Sequence, residues 1–476
     1  MTARSRTIWT FVVTSIALFM AQLDNLVVTT ALPVIRTDLH ASLSSLEWTV
    51  NAYTLTFAVL LLTGATLGER FGRRRMLVIG LVIFTAGSAA AALAPSVDWL
   101  VAFRAIQGAG AAIVTPLTLT LLSAAVPVER RGMALGIWGA VAGLAIATGP
   151  VVGGAVVQGW SWQTIFWLNV PLGLLLIPLA RFRIVESRGP STRLDLPGVG
   201  LASAGLFGIV LGLVRANSLG WTSPYVLTAL VAGVALVIGF VVWETRTPQP
   251  MLPMRLFRSR GFSATNLASV LMFFGMFGSI FLLAQFLQTV QHYSPLSAGL
   301  RTLPWTGMPI VVSPIAGIVA DRIGGRPVVL TGLVLQATGL AWLAAVSSPT
   351  VAYSSLVPAF IVSGVGMAMF FAPVATMVLG TVRREEEGIA SGATNALREL
   401  GGVFGIAVLA AVFSAHGGYT SGPAFVDGLR PAVAVGAAGV FLAALALLAV
   451  PRGTPEVDAA GPVDAYAGSR EPALSA

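Results

Sequence analysis

Long apolar runs alternate along this chain with short charged punctuation. The first run spans Ile8–Leu32 and the second Glu47–Leu67. Others follow at Met76–Ala94, Trp99–Leu122, Met133–Val157, Thr164–Ala180, Pro197–Val214, Pro224–Trp243, Phe262–Gln288, Ser297–Val319, Pro327–Val346, Tyr353–Leu379, Ile389–Ser414 and Pro431–Val450. About 20 apolar residues carry a helix across a bilayer, so the pattern predicts about fourteen transmembrane helices. A membrane barrel would alternate polar and apolar positions residue by residue, which these runs do not. The expected fold class is an all-α polytopic membrane protein.

Composition agrees. Of 476 residues 56% are hydrophobic and 10% charged, against about 25% charged in soluble proteins. The net charge of +9 does not signal nucleic acid, because no segment forms a basic soluble domain. All basic residues are Arg, 28 in number, and most fall in alternate turns: Arg70 and Arg73–Arg75, Arg130 and Arg131, Arg181–Arg193, Arg246–Arg260, Arg322 and Arg326, Arg383 and Arg384. The positive-inside rule then puts these turns and both termini in the cytosol. The N-terminus reads as an uncleaved first helix, since its apolar stretch exceeds a signal sequence and no cleavage site follows. The segment 451–476 reads as a disordered cytosolic tail. Without cysteine, disulfides, thiol catalysis and Cys-ligated metals are excluded. No P-loop is present, so ATP is not a direct energy source.

Asp24 lies inside the first apolar run. A carboxylate at the centre of a membrane helix costs roughly 2.5–3.5 kcal/mol, and such groups mark polar cavities, charge pairs or proton paths. Arg104 is the second charge within the N-terminal spans. The two could be a structural pair or a protonatable switch. In the C-terminal half Asn395, Arg398, Glu399 and Gly402 share one helical face. Glu399 could couple protons or simply pair with Arg398. His40, His292 and His416 fall in the turns opposite the arginine-rich ones, away from any relay at the bilayer centre.

Two turns repeat a pattern. Glu69-Arg70-Phe71-Gly72-Arg73 and Asp321-Arg322-Ile323-Gly324-Gly325-Arg326 both read acid, Arg, apolar, Gly, then Arg. Recurrence in both halves favours a duplicated bundle, with the glycines permitting a tight turn.

This repeat resembles the signature between helices 2 and 3 of the major facilitator superfamily, roughly G-x-L-x-D-R-x-G-R-R. Ala65 and Glu69 depart from it, and Glu69 is expected to keep the gate contact with altered geometry. Arg104-Ala105-Ile106-Gln107-Gly108-Ala109-Gly110 resembles R-x-x-Q-G-x-G of helix 4. Gly149-Pro150-Val151-Val152-Gly153-Gly154 resembles the antiporter motif of helix 5, where the residues themselves permit either close packing or a bend for bundle rocking. Asp24 through Pro33, Trp162 through Pro171, Tyr293 through Arg301, and Arg398 through Gly402 resemble the fourteen-helix drug:proton antiporters of the EmrB/QacA type.

The resemblance covers Trp9 to Val450. It implies the major facilitator fold, with two six-helix bundles (1–180 and 262–450) and two inserted helices with their linkers (181–261). It implies efflux of a small lipophilic compound, cationic or aromatic, by proton antiport across a bacterial cytoplasmic membrane. No cofactor is expected beyond the proton-motive force, no enzymatic activity, and a monomer. Asp24, Arg104 and Glu399 are the proton-coupling candidates. Asn25, Asn51, Tyr53, Gln107, Gln285, Asn395 and Arg398 are candidates for the substrate cavity. Export of an endogenous metabolite and proton-coupled uptake remain open on the same fold.

Overall fold

The computed structural model describes residues 3–126, 131–188, 194–382 and 387–450. The segment 451–476 and Arg130, Arg193, Arg383 and Arg384 lie outside the described residues. The helices in chain order are α1 (Ala3–Asp38), α2 (Leu43–Phe71), α3 (Arg73–Ala92), α4 (Val97–Ala125), α5 (Arg131–Gly159), α6 (Thr164–Trp167) and α7 (Asn169–Arg183). Next come α8 (Leu196–Leu219) and α9 (Pro224–Arg246). The second half holds α10 (Arg260–Gln285), α11 (Pro295–Thr306), α12 (Met308–Ile323), α13 (Gly325–Val346), α14 (Tyr353–Leu379), α15 (Glu387–His416) and α16 (Gly422–Leu447). Among the described residues there is no strand.

Thirteen segments are long and apolar enough to cross a membrane among the described residues. Two of them are compound: α6 and α7 form one span, and α11 and α12 another. The 29-residue α5 stands where the remaining expected span falls. The bundle boundaries expected at 180 and 261 fall in the last turn of α7 and the first turn of α10. α16 begins nine residues before the expected Pro431, because helix geometry continues past the apolar run. His416 closes α15 and is not in the turn beyond it.

Each half closes on itself through small residues, as membrane helices without a hydrophobic driving force require. A Cβ at Gly108 on α4 would lie 2.4 Å from the Tyr53 carbonyl oxygen on α2. α8 and α9 form a hairpin by the same means, a Cβ at Gly233 falling 2.8 Å from the Gly205 carbonyl. That hairpin covers the seam between α2 and α15, where Leu55, Val59, Val210, Val214, Val403 and Ala407 share one core. Asp195 caps α8 by accepting from Gly198 N at 2.9 Å, and Trp243 Nε1 on α9 donates to it at 2.7 Å.

The repeated turns have a common backbone. Gly72 (φ +107°) and Gly324 (φ +89°) break otherwise continuous helical paths between α2 and α3 and between α12 and α13. Positive φ is strained for any residue with a Cβ. Each turn is tied to the last helix of its half. Glu186, beyond α7, accepts from Arg74 N at 2.9 Å and Arg75 N at 3.1 Å, capping α3. Arg326 donates to the Leu448 carbonyl at the end of α16 at 2.8 Å.

Candidate functional site

Asp24 is 3% exposed and Arg104 0%. They form a buried ion pair between α1 and α4, Arg104 Nη1 to Asp24 Oδ2. The other carboxylate oxygen accepts from Gln107 Nε2 at 2.8 Å and Asn169 Nδ2 at 2.7 Å. Ser88 Oγ on α3 takes a 3.1 Å bond from each of those amides and donates to the Phe166 carbonyl. Arg104 also donates through Nη1 to Gln107 Oε1 at 2.8 Å and through Nε to the Thr49 carbonyl at 3.2 Å. Its Nη2 has no partner. The carboxylate of α1 thus accepts from donors on α4 and α7, and Ser88 of α3 ties two of those donors together. Ionised partners make these bonds stronger than neutral ones.

Helical spacing explains the convergence. Arg104 and Gln107 are three residues apart and share a face of α4. The break between α6 and α7 at Leu168 turns Asn169 inward. The expectation that Arg104 lies beside Asp24 is met. Gln107 belongs to this network and not to an open cavity. Ser88 and Asn169 were not singled out beforehand as site residues. Asn169 carries a visible signal, a polar side chain in an apolar stretch, whereas Ser88 looks like an ordinary packing serine.

Tyr53 was expected to line the cavity. Instead its hydroxyl donates to the Ala21 carbonyl at 2.9 Å, and its ring lies beneath the Arg104 guanidinium. Asn25 accepts from Thr54 Oγ1 at 3.4 Å. Asn51 is fully buried, with neither side-chain atom bonded. Gln285 donates back to the Phe281 carbonyl of its own helix and accepts from the Tyr419 hydroxyl.

Glu399 is 9% exposed and lies within electrostatic reach of Tyr53, as do Asp24 and Arg104. Arg398 and Glu399 do not form an ion pair: adjacent residues point about 100° apart on a helix, and their Nε and Oε2 atoms each lack a hydrogen-bond partner. Arg398 instead sits 5.8 Å from the ring centres of Phe273 and Phe370. Asn395, one turn earlier, is half-buried.

Glu69 makes a two-pronged contact with Arg73, 2.8 Å through both Nε and Nη2. The acid of the first repeat thus spans its own turn rather than reaching across to the other half. Arg70 packs over Phe71. In the second repeat Asp321 and Arg322 are exposed.

α5 remains one helix through Pro150, contrary to a break there. Its glycines fit it between neighbours. A Cβ at Gly149 would lie 2.7 Å from Leu26 Cβ on α1, one at Gly153 2.8 Å from the Val27 carbonyl, and one at Gly154 2.3 Å from the Pro295 carbonyl on α11. Two hydrogen bonds join the halves at this end, opposite the arginine-rich turns: Leu296 N to Gln158 Oε1 at 3.3 Å and Gln288 Nε2 to the Thr30 carbonyl at 2.9 Å. Between them lies a cavity of about 20 Å³ bounded by Thr29, Thr30, Pro150, Gln288 and Trp305, room for about one water.

These features define a polytopic helical membrane protein with a buried charge network in its first half and a buried carboxylate, Glu399, in its second. The family model of the Major Facilitator Superfamily matches residues 14–198, 196–405 and 265–473, and the chain belongs to that superfamily. It is 34% identical over 412 residues to the "Tetracenomycin C resistance and export protein" of Streptomyces glaucescens, covering 86% of this chain and 76% of that one. It is 36% identical over 408 residues to the "Multidrug resistance protein Stp" of Mycobacterium tuberculosis, covering 85% and 76%. A solved peptide transporter POT in complex with sulfate shares the fold, with a TM-score of 0.68, 15% identity and coverage of 93% and 94%.

Proposed function

We propose that this protein is an efflux pump of the fourteen-helix type, exporting a small lipophilic compound in exchange for protons. The arginine-rich turns and both termini lie in the cytosol in this reading. The observation that carries it is the Asp24–Arg104 pair, a salt bridge with 0–2% side-chain exposure inside a membrane helix bundle. Protonating Asp24 would release the charge hold on Arg104 at Oδ2, while Oδ1 can still accept from Gln107 and Asn169. That is a change of packing a proton can drive. Resistance and export in the names of the relatives from Streptomyces glaucescens and Mycobacterium tuberculosis support outward transport.

The halves are joined at the end placed outside, through α5 and α11, which suits a cavity open to the cytosol. Substrate would enter between the bundles, near Asn395, Arg398 and the Phe273–Phe370 rings. Aromatic faces attract lipophilic cations. The protein acts as a monomer and needs no cofactor.

The test is efflux from a pump-deficient host across a panel of dyes and antibiotics, with and without an uncoupler. Uncoupler-sensitive export is expected. Accumulation, or export indifferent to the uncoupler, would sink the proposal.

A further inference from the structure

Glu47 lies near the outer end of α2 and is 1% exposed. Its Oε2 has no hydrogen-bond partner, and it joins no ion pair among the described residues. A buried carboxylate without cation or donor is costly to keep, and inside a membrane bundle it points to a functional path. The Asp24 network does not use it.

Its surroundings give it direction. Glu47, Asn51 and Thr54 are spaced i, i+4 and i+7, so they form one stripe along α2. The stripe covers about 10 Å of helix. Asn51 is buried with both polar atoms unpartnered, and Thr54 donates to Asn25 at 3.4 Å. Asn25 is the neighbour of Asp24. Unpaired buried groups in a row are those a water chain would bridge.

The outer end of the stripe meets a contact between the halves. Tyr419, in the turn between α15 and α16, lies within electrostatic reach of Glu47. Its ring carries the Arg36 guanidinium of α1 at 3.5 Å, and its hydroxyl donates to Gln285 on α10. Burial holds that hydroxyl well above the ordinary tyrosine range, so it stays protonated and remains a donor. The other charged groups on elements packed against α2 are Asp24 and exposed Asp38 on α1, Arg104 and exposed Asp98 on α4, Arg398 and Glu399 on α15, and, at the opposite end of the bundle, Arg6 on α1 and Arg73, Arg74 and Arg75 on α3. Arg104 is engaged by Asp24. Exposed Arg215 on α8, and exposed His40 and His416 at the helix ends, complete the set.

We propose that Glu47 is a second proton-binding site, the outer station of a path that runs along Asn51, Thr54 and Asn25 to Asp24, with the Arg36–Tyr419 contact as its lid. The inference rests on the proton-antiport reading and adds to it a place where protons enter from outside. Opening the halves at this end lifts Arg36 from Tyr419 and uncovers Glu47. Protons then load from the outer side before Asp24 exchanges them.

The experiment measures efflux from intact cells and proteoliposomes while the outer and inner pH are varied separately. Wild type is expected to respond to both. Glu47→Gln should lose the dependence on outer pH, and Glu47→Asp should restore it. Asn51→Leu should lose it as well. A rate lowered equally at every pH in Glu47→Gln would mark a structural role and overturn the proposal, as would an unchanged outer-pH profile. Wild type indifferent to both pH values would overturn the antiport reading itself, and this proposal with it. A second measurement needs no variant. Dicyclohexylcarbodiimide, which modifies protonated carboxyls in apolar sites, should label Glu47 in the native protein, faster as the outer pH falls. Mass spectrometry showing no adduct at Glu47, or labelling independent of outer pH, would also overturn it.

Discussion

The guanidinium of Arg104 lies 4.2 Å above the ring of Tyr53. Tyr53 is anchored by its hydroxyl to the Ala21 carbonyl on α1, so the ring is a fixed floor for the buried cation. A desolvated cation–π contact is worth about 2 kcal/mol. It helps hold Arg104 in place whether or not Asp24 is charged. Glu399 of the other half lies within electrostatic reach of the same tyrosine.

Asp24→Asn should abolish proton-driven efflux while leaving a folded protein. The amide occupies the same space and keeps an acceptor for Gln107 or Asn169. Vesicles with an imposed pH gradient should show transport no faster than vesicles lacking the protein. Arg104→Ala should be worse for folding: in Asp24→Asn the guanidinium keeps the Thr49 and Gln107 acceptors and the Tyr53 ring, whereas Arg104→Ala removes all of these contacts and leaves Asp24 without its cation, at a cost of about 3–5 kcal/mol. Thermal unfolding in detergent separates the two outcomes.

Gly72→Ala and Gly324→Ala should each destabilise by about 1–3 kcal/mol through positive φ. Gly72→Ala should be the more harmful. Its Cβ would fall 2.9 Å from the Glu186 carboxylate, whereas the nearest atom to a Cβ at Gly324 is 4.0 Å away. Unfolding temperatures of the two variants, measured side by side, check the order.

Gln158→Cys combined with Leu296→Cys should allow the two halves to be locked where α5 meets α11. The native chain has no cysteine, so the pair reacts without background. A short reducible cross-linker should stop efflux, and reduction should restore it. Undiminished efflux after full cross-linking would contradict alternating access at this end.

Asp195 lies outside the spans. Burial pushes its carboxyl up, but donors from Gly198 and Trp243 outweigh this and hold it below the ordinary carboxylate range. A depressed folded value adds stability above the unfolded value, about 3.9, and that stability is lost as pH falls through the folded value. The α8–α9 hairpin should therefore loosen in acid, below about pH 4. Asp195→Asn should remove most of this acid sensitivity, read as the unfolding temperature against pH.

Periodicity and composition were enough for the helices, since a bilayer requires long apolar runs whatever they pack against. The repeat at Gly72 and Gly324 was legible because positive φ selects glycine locally. The Asp24–Arg104 pair was legible because two charges in one apolar half have few other partners. Other features were decided only by packing between helices distant in sequence. Asn169 became a donor to Asp24, and Ser88 a bridge between the Asn169 and Gln107 amides, because α7 and α3 bring them there. Tyr53 became a floor because α4 lies over it. Arg398 took the Phe273 and Phe370 rings as neighbours because α15 packs against α10 and α14. Glu47 read as the mere start of a span, and only the packing of the helices shows it buried without a hydrogen-bond partner at Oε2. The sequence alone determined which residues must lie in the membrane. The tertiary structure decided which buried groups meet, because hydrogen bonds and charge contacts depend on distances that no linear spacing contains.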